Sequence, residues 1–156
     1  MLVWRICKAQ HIPNAFSGIG AEKYGGRWNH KGERMVYSST SLSLAALELF
    51  VHLEPDYLPD DLHFVVAVLP DRASAEELKV ADLPQNWRDH PAPTSLQDLG
   101  SAWLRERRSL LLIVPSAANP EEKNVLVNPN HPEITTLSHV SSKPFFFDPR
   151  MWKQHK

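Results

Sequence analysis

The chain has 156 residues, 17 lysines and arginines against 18 aspartates and glutamates, and a formal net charge of −1. This length fits one domain with a buried core, and 42% hydrophobic against 22% charged residues indicates a globular protein. The charge balance argues against a general binder of nucleic acid or membrane surfaces, but it is compatible with a small anionic ligand. The single cysteine, Cys7, excludes an internal disulfide and a cysteine-based zinc site, and it favours a reducing compartment.

The N-terminus lacks the basic start and apolar run of a signal peptide, and no apolar stretch reaches the roughly 18–20 residues of a membrane helix. We therefore expect a cytoplasmic protein. The 13 prolines beside only 6 glycines predict short elements joined by long ordered connections, because proline removes a backbone donor. The sequence contains no repeat or linker, so residues 1–156 are expected to form one domain.

The first half of the chain predicts two short strands and one helix. Residues 2–7 predict a strand, residues 8–33 a loop, and residues 35–38 a second strand. Thr40 or Ser41 then caps a helix with apolar residues at helical spacing. These residues are Leu42, Ala45, Ala46, Leu49, Phe50 and Leu53. Because apolar residues also cover the reverse side, we expect this helix to be buried.

The second half predicts a strand-rich arrangement. Residues 62–69 form the clearest strand, and the capping-box spacing of residues 74–77 suggests a short helix. The same spacing at residues 94–97 opens a helix whose C-terminal end is basic, as the helix dipole favours. Further strands are expected at residues 110–114, 124–127 and 145–147. The predicted fold class is α+β, a single compact domain with a strand-rich core and a few helices.

The first candidate site is the paired-glycine segment Gly25–Gly26 followed by Arg27. Paired glycines allow close backbone approach to a ligand, and the planar guanidinium of an arginine suits phosphate oxygens. Tyr24 and Trp28 flank the arginine with rings on which a ligand ring could stack. The alternative is a tight turn with a surface arginine lying on Trp28.

The second candidate is Glu48, a carboxylate in the middle of the apolar helix. A buried carboxylate is costly unless it is paired or hydrogen-bonded, and catalytic carboxylates are found in such settings. The alternative is a structural ion pair with an arginine of a neighbouring strand. His52 lies four residues further along the same side of the helix and could orient Glu48.

The third candidate is Ser116, which follows an apolar strand, together with Asn124 and the segment 128–132. No Gly-x-Ser-x-Gly elbow surrounds Ser116, so a hydrolase-type nucleophile is not expected. The sequence also lacks a Walker phosphate loop and a His-Glu-x-x-His pair, and its eight histidines show no ligand spacing. No metal site is predicted.

An arginine after paired glycines, a glutamate on an apolar helix and a serine after a strand, in this order, resemble the RES-domain family, which is named after Arg, Glu and Ser. The resemblance covers nearly the whole chain. It rests on Trp4-Arg5, Gly25-Gly26-Arg27-Trp28-Asn29, Gly32, Val36-Tyr37-Ser38, Ala46-Leu47-Glu48, Leu99-Gly100-Ser101-Ala102-Trp103, Val114-Pro115-Ser116 and Asn124 to Pro132.

The resemblance implies a fold similar to that of the ADP-ribosyltransferase toxins and an activity that consumes NAD or transfers its ADP-ribose. It also implies a toxin that forms a hetero-oligomer with an Xre-type helix-turn-helix antitoxin. In this sequence it assigns catalytic roles to Arg27, Glu48 and Ser116. It assigns substrate binding to Tyr37, which would line the nicotinamide pocket, and to Tyr24, Asn29 and Arg5.

The chemistry of these residue types agrees with that implication. Cleavage of the nicotinamide–ribose bond passes through an oxocarbenium-like transition state, which a carboxylate such as Glu48 stabilises. Arg27 can hold the diphosphate bidentately, and Ser116 can hydrogen-bond the ribose or the amide. NAD would be the substrate, and no other cofactor and no metal is expected. The final acceptor stays open between water, phosphate and a protein side chain.

Two other functions remain open at this stage. One is an RNase-type toxin that uses Glu48 and a histidine as an acid–base pair, with Arg27 on phosphate. The near-neutral charge of the chain argues against it. The other is a non-enzymatic binding module in which Arg27 contacts a partner without any turnover.

Overall fold

A computed structural model describes residues 1–54 and 56–152. The described residues form seven strands and three α-helices. The strands are Leu2–Lys8 (β1), Val36–Ser39 (β2), Leu62–Val68 (β3), Ala75–Glu77 (β4), Leu111–Pro115 (β5), Lys123–Val127 (β6) and Ser138–Pro144 (β7). The helices are Ile19–Tyr24 (α1), Leu42–Phe50 (α2) and Thr94–Glu106 (α3), and 3-10 helices lie at Ala9–Asn14, Val80–Asp82, Pro132–Thr136 and Pro149–Met151.

The strands form one sheet in the order β4-β5-β6-β2-β1-β3-β7, in which β4 and β5 are parallel and the other neighbours antiparallel. β1 pairs with β3 along its whole length. In the described part of the chain, β1 and β2 meet only at the pair Trp4–Ser39. The sheet therefore has two halves, joined at this junction pair.

Each face of the sheet carries its own apolar cluster, because alternate residues of a strand point to opposite sides. The front face packs against α3 through Trp28, Met35, Trp87, Leu96, Trp103, Leu104, Leu112, Val114 and Leu126. The back face is covered by Phe16, Ile134 and Leu137, which pack on Val3, Val36, Ala67, Leu69, Leu110, Leu111, Val125 and Val127. Among the described residues, no helix has the length and apolar character needed to cross a bilayer.

Two predicted segments have a different structure. The segment suggested as a helix at residues 74–77 is the edge strand β4, because β5 offers it backbone partners: Leu111 N–H donates to the Ser74 carbonyl at 3.0 Å. The loop expected over residues 8–33 contains a 3-10 helix and α1. Gly18, at φ +73°, precedes α1 in a left-handed conformation that favours glycine.

The strand expected at residues 145–147 lies earlier, at β7, which ends at Pro144. Phe146 is 76% exposed. The helix expected to be buried is α2, but only its residues Leu44 and Ala45 are fully buried, and it ends at Phe50. One side of α2 therefore remains partly open to solvent. The other predicted strands and α3 are confirmed. Most of their ends lie within one or two residues of the predicted ends.

Candidate active site

Four polar side chains of the sheet lie on its front face. Tyr37 and Ser39 alternate with back-facing residues of β2, and Ser39 lies directly opposite Asn124 of β6. Asn124 in turn lies opposite Val114 of β5. Ser116 follows Val114 by two positions, so it points to the same side. Strand pairing thus brings together polar groups from three separate parts of the chain.

Glu48 reaches this polar group from α2. The helix starts two residues after β2, where Ser41 is extended and its Oγ accepts a hydrogen bond from Leu44 N–H at 3.1 Å. Two turns later, Glu48 Oε1 accepts hydrogen bonds from Ser116 Oγ at 2.6 Å and from Asn124 Nδ2 at 2.5 Å. No described residue donates to Glu48 Oε2. That oxygen is available for a ligand.

Ser116 is wholly buried, and its hydroxyl is fully engaged. Its Oγ donates to Glu48 and accepts from Asn119 N–H at 3.0 Å, while Ser116 N–H donates to the Glu122 carbonyl at 3.0 Å. The proton of the hydroxyl therefore points at the carboxylate. In this arrangement Ser116 orients Glu48 and shapes the loop that follows β5.

Arg27, on the paired-glycine segment, is near enough to Glu48 for the carboxylate to influence its pKa, but the described residues show no ion pair between the two. Its Nη1 donates to the backbone carbonyls of Trp87 at 2.6 Å and Asp89 at 3.1 Å. Burial is the main cause that lowers the pKa of Arg27, and the nearby carboxylates of Glu48 and Asp89 oppose this shift. Its Nε and Nη2 donate to no described residue, so two of its three nitrogens remain for an anionic ligand.

Tyr37 holds the segment that carries Arg27. Its hydroxyl donates to Asn29 Oδ1 at 2.7 Å and accepts from Trp28 N–H at 3.0 Å. Burial raises the pKa of Tyr37 well above its ordinary value, so the phenol is neutral. Gly26 is tightly packed here, because a Cβ added to it would lie 2.5 Å from the Tyr37 hydroxyl oxygen.

Asn29 is wholly buried and makes its hydrogen bonds inside its own loop. Its Nδ2 donates to the carbonyls of Ala21 at 3.0 Å, His30 at 2.9 Å and Glu33 at 3.1 Å, and its Oδ1 accepts from Tyr37. Helix α3 supports the same loop: Gln97 Nε2 donates to the Gly26 carbonyl at 3.0 Å. Asn29 therefore fixes the loop and does not present a polar group to a ligand.

Tyr24 and Arg5, which are predicted to bind substrate, form no hydrogen bond with Glu48 in the described part of the chain. Tyr24, at the end of α1, is 75% exposed, and its ring lies under the Lys23 ammonium. Arg5 alternates with front-facing Trp4 on β1, so it points to the back face beside Cys7. Burial is the main cause that lowers the pKa of Arg5. The structure places Glu48, Ser116 and Tyr37 on the front face with Arg27 nearby, whereas Arg5 lies on the opposite face and Tyr24 is exposed at the end of α1.

Neither a histidine nor a metal cluster adjoins the carboxylate in the described residues. His52 is exposed and forms no hydrogen bond with Glu48, whose partners there are Ser116 and Asn124. No group of three or more histidine, cysteine, aspartate or glutamate side chains in residues 1–54 and 56–152 is placed to hold a metal ion. The RNase hypothesis requires Glu48 and a histidine as an acid–base pair. No histidine in this part of the chain is hydrogen-bonded to Glu48.

The family model described as RES domain matches residues 2–148. This chain belongs to the RES-domain family. A related RES-domain protein, Toxin Res of Yersinia enterocolitica, is 40% identical over 152 residues, which cover 97% of this chain and 99% of the relative. The Prs ADP-ribosylating toxin of a Sphingobium species is 40% identical over 152 residues, which cover 95% of this chain and 94% of the relative.

A solved structure shows the same fold at low sequence identity. The crystal structure of the M. tuberculosis MbcT–MbcA toxin–antitoxin complex matches with a TM-score of 0.74 and 18% identity. The match covers 97% of this RES-domain chain and 86% of the other chain. It confirms the α+β architecture expected from the sequence.

Two further residues of this RES-domain site were missing from the assigned roles. The sequence does not single out Ser39, and it names Asn124 together with the third candidate and within the resemblance but gives it no role. Ser39 Oγ donates to Asn124 Oδ1 at 2.7 Å, and Asn124 donates to Glu48. Strand alternation is the signal that could have identified Asn124. It shares the front face of β6 with Leu126, whereas Val125 between them faces the back.

Proposed function

We propose that this chain is the toxin component of a toxin–antitoxin pair and that it degrades NAD by cleaving the nicotinamide–ribose bond. The observation that carries the proposal is the environment of Glu48. Its carboxylate is fixed through Oε1 by Ser116 and Asn124, its Oε2 has no described donor, and Arg27 is within range of its charge and keeps donors that no described residue uses. The related ADP-ribosylating toxin of Sphingobium supports NAD as the substrate class.

The chemistry requires little more than these groups. As the bond to nicotinamide breaks, positive charge develops on the ribose, and a fixed carboxylate stabilises it while hydrogen-bonding a ribose hydroxyl. Glu48 Oε2 fits this role. Nicotinamide leaves as a neutral molecule, so no strong nucleophile is needed. Arg27 has the planar donors that bind a diphosphate, and the ring of Tyr37 lies on the same face for the nicotinamide.

The acceptor of the ADP-ribose group is water, inorganic phosphate or a protein side chain, and one assay separates them. Purified protein is incubated with NAD, with and without phosphate, and the products are identified by mass spectrometry. Free ADP-ribose indicates hydrolysis, a phosphorylated ADP-ribose indicates phosphorolysis, and nicotinamide without either indicates transfer to protein. An RNA substrate in parallel tests the nuclease alternative. RNA cleavage without nicotinamide release would overturn the proposal.

The first prediction concerns the carboxylate itself. Glu48→Gln keeps the shape but removes the charge, so nicotinamide release is expected to fall by about 100-fold or more, since such electrostatic contributions are typically 10²–10³-fold. The matched control is Glu54→Gln, which removes an exposed carboxylate six residues further along, and is expected to leave release unchanged. Equal activity of Glu48→Gln and wild type, with both folded by circular dichroism, would contradict the role of Glu48.

We also propose that the protein acts in the cytoplasm and that an antitoxin of the Xre helix-turn-helix type neutralises it by forming a complex. The relatives named as toxins and the toxin–antitoxin complex among the structural neighbours support a partner of this kind. Expression of the chain alone should arrest growth and lower cellular NAD. Co-expression with a helix-turn-helix protein encoded beside it should restore both and yield a co-purifying complex.

A further inference from the structure

The orientation of the Glu48 carboxylate depends on a chain of hydrogen bonds that begins in the sheet. A glutamate side chain has three rotatable bonds, and a group that stabilises a transition state must be held in place before the reaction. Helix α2 fixes only the Cα of Glu48. Its carboxylate is fixed by Ser116 on one side and by Asn124 on the other.

The direction of the hydrogen bonds from β2 to Glu48 follows from chemistry. An ionised carboxylate only accepts, so Asn124 must turn its NH₂ group toward Glu48 Oε1. The Asn124 oxygen then faces Ser39, whose hydroxyl must donate to it, at 2.7 Å. Reversing the amide would place the Asn124 oxygen against the Glu48 carboxylate, two acceptors in contact, and the Ser39 hydroxyl holds the observed orientation by donating to the Asn124 oxygen.

The pairing of the strands defines the positions of Ser39 and Asn124. Ser39 and Asn124 form a direct cross-strand pair, and Ser39 also belongs to the junction pair with Trp4 that connects the two halves of the sheet. Ser39 is 3% exposed, so its hydroxyl is directed into the protein and not to bulk water. Besides Ser116, the donor that holds Glu48 Oε1 in the described residues is the amide at position 124.

We propose that Asn124 is a positioning residue for Glu48 and that Ser39 acts through it by fixing the orientation of the Asn124 amide. The inference deepens the proposed function, because it names what sets the geometry of the carboxylate. Neither residue is expected to touch NAD. Their substitution should therefore lower kcat and leave KM within about threefold.

The decisive comparison is between Asn124→Asp and Asn124→Ala. Aspartate keeps the size and still accepts from Ser39, but in its ionised form it cannot donate to Glu48 and places a second negative charge against Oε1, so the comparison is made at a pH at which both carboxyls are ionised. We expect a 10–100-fold loss of kcat for Asn124→Ala, the range typical of residues that orient a catalytic group, and a larger loss for Asn124→Asp. If Asn124 only filled space, Asn124→Ala would lose more kcat than Asn124→Asp. That result would overturn the proposal.

Ser39 has a matched control on the same strand. Ser38 is equally buried, at 5% exposed, and its Oγ donates to the Val125 carbonyl at 2.6 Å on the back face. Ser39→Ala should lower kcat, while Ser38→Ala should change stability but not kcat. Equal kcat values for the two variants would contradict the role of Ser39.

A double-mutant cycle and a spectroscopic measurement complete the test. In the Glu48→Gln background, Asn124→Ala should cause no further loss, because its effect passes through Glu48; independent, multiplying losses would overturn the proposal. Independently of activity, proton exchange of the Asn124 side-chain amide, followed by NMR, should accelerate in Ser39→Ala and not in Ser38→Ala. If wild type releases no nicotinamide, the proposed function fails, and the NMR result alone decides the hydrogen-bonded chain.

Discussion

Gly26 and the Tyr37 hydroxyl are in close contact, and this contact connects the paired-glycine segment to the sheet. An added Cβ at Gly26 would lie 2.5 Å from the Tyr37 oxygen and 3.1 Å from Asn29 Oδ1. The second glycine is therefore required for close packing, whereas Gly25 is required for its left-handed backbone, at φ +71°. The position of Arg27 depends on both.

Gly26→Ala should consequently disturb the loop that carries Arg27. We expect a loss of about 1–3 kcal/mol in the free energy of unfolding, as in other overpacked sites, and a fall in nicotinamide release. The matched control is Gly20→Ala in α1, where an added Cβ meets nothing within 4 Å. Alanine also favours helix there, so this variant should be as stable as wild type or more so. Thermal unfolding of both variants checks the difference, and equal losses would contradict it.

Tyr37 also makes a pH-dependent contribution to stability. Burial raises the pKa of its phenol in the folded state above the ordinary value of 10.0. The contribution is thus complete below about pH 10 and is lost at higher pH, where the unfolded chain releases the proton first. Tyr37→Phe should weaken the decline of unfolding free energy above pH 10, as measured by denaturant unfolding at several alkaline pH values. Identical alkaline profiles of wild type and Tyr37→Phe would refute this.

At the scale of elements, α2 positions Glu48 because it begins two residues after β2. Ser41 caps the helix, and its nine residues leave little stability beyond packing and that cap. Ser41→Ala should cost about 1 kcal/mol of unfolding free energy and lower kcat by loosening Glu48. Ser43→Ala, on the exposed side of the same helix, is the control for the loss of a serine. Denaturant unfolding and nicotinamide release would distinguish them, and similar behaviour would argue against the cap.

The elements were predictable where a local pattern determines them. The spacing of apolar residues identified β3, β5 and α3, and Ser41 marked the start of α2. The segment at residues 74–77 was predicted wrongly, because the capping-box pattern is local whereas its strand depends on hydrogen bonds with β5. The expectation that α2 is buried was incomplete for a similar reason, since a helix packed on one side of a sheet keeps an open side, and Val51 just after its end is exposed.

At the scale of the whole molecule, the site forms where the two halves of the sheet meet. Glu48 contacts Ser116 across 68 positions of sequence and Asn124 across 76. Arg27 is held by the carbonyls of Trp87 and Asp89, about 60 positions away. Any change that separates the halves at the junction pair should therefore remove activity before it unfolds the front cluster around α3.

The sequence by itself determined the α+β class, most of the strands, the helix that carries Glu48 and the membership of the RES-domain family, because these depend on local periodicity and on the order of short motifs. Only the tertiary structure decided which polar side chains meet Glu48. Strand alternation assigns a residue to a face only when the pairing partners are known, and those partners lie far apart in sequence. For this reason only the structure shows that Asn124 contacts the carboxylate, that Ser39 contacts Asn124, and that Arg5 lies on the back face.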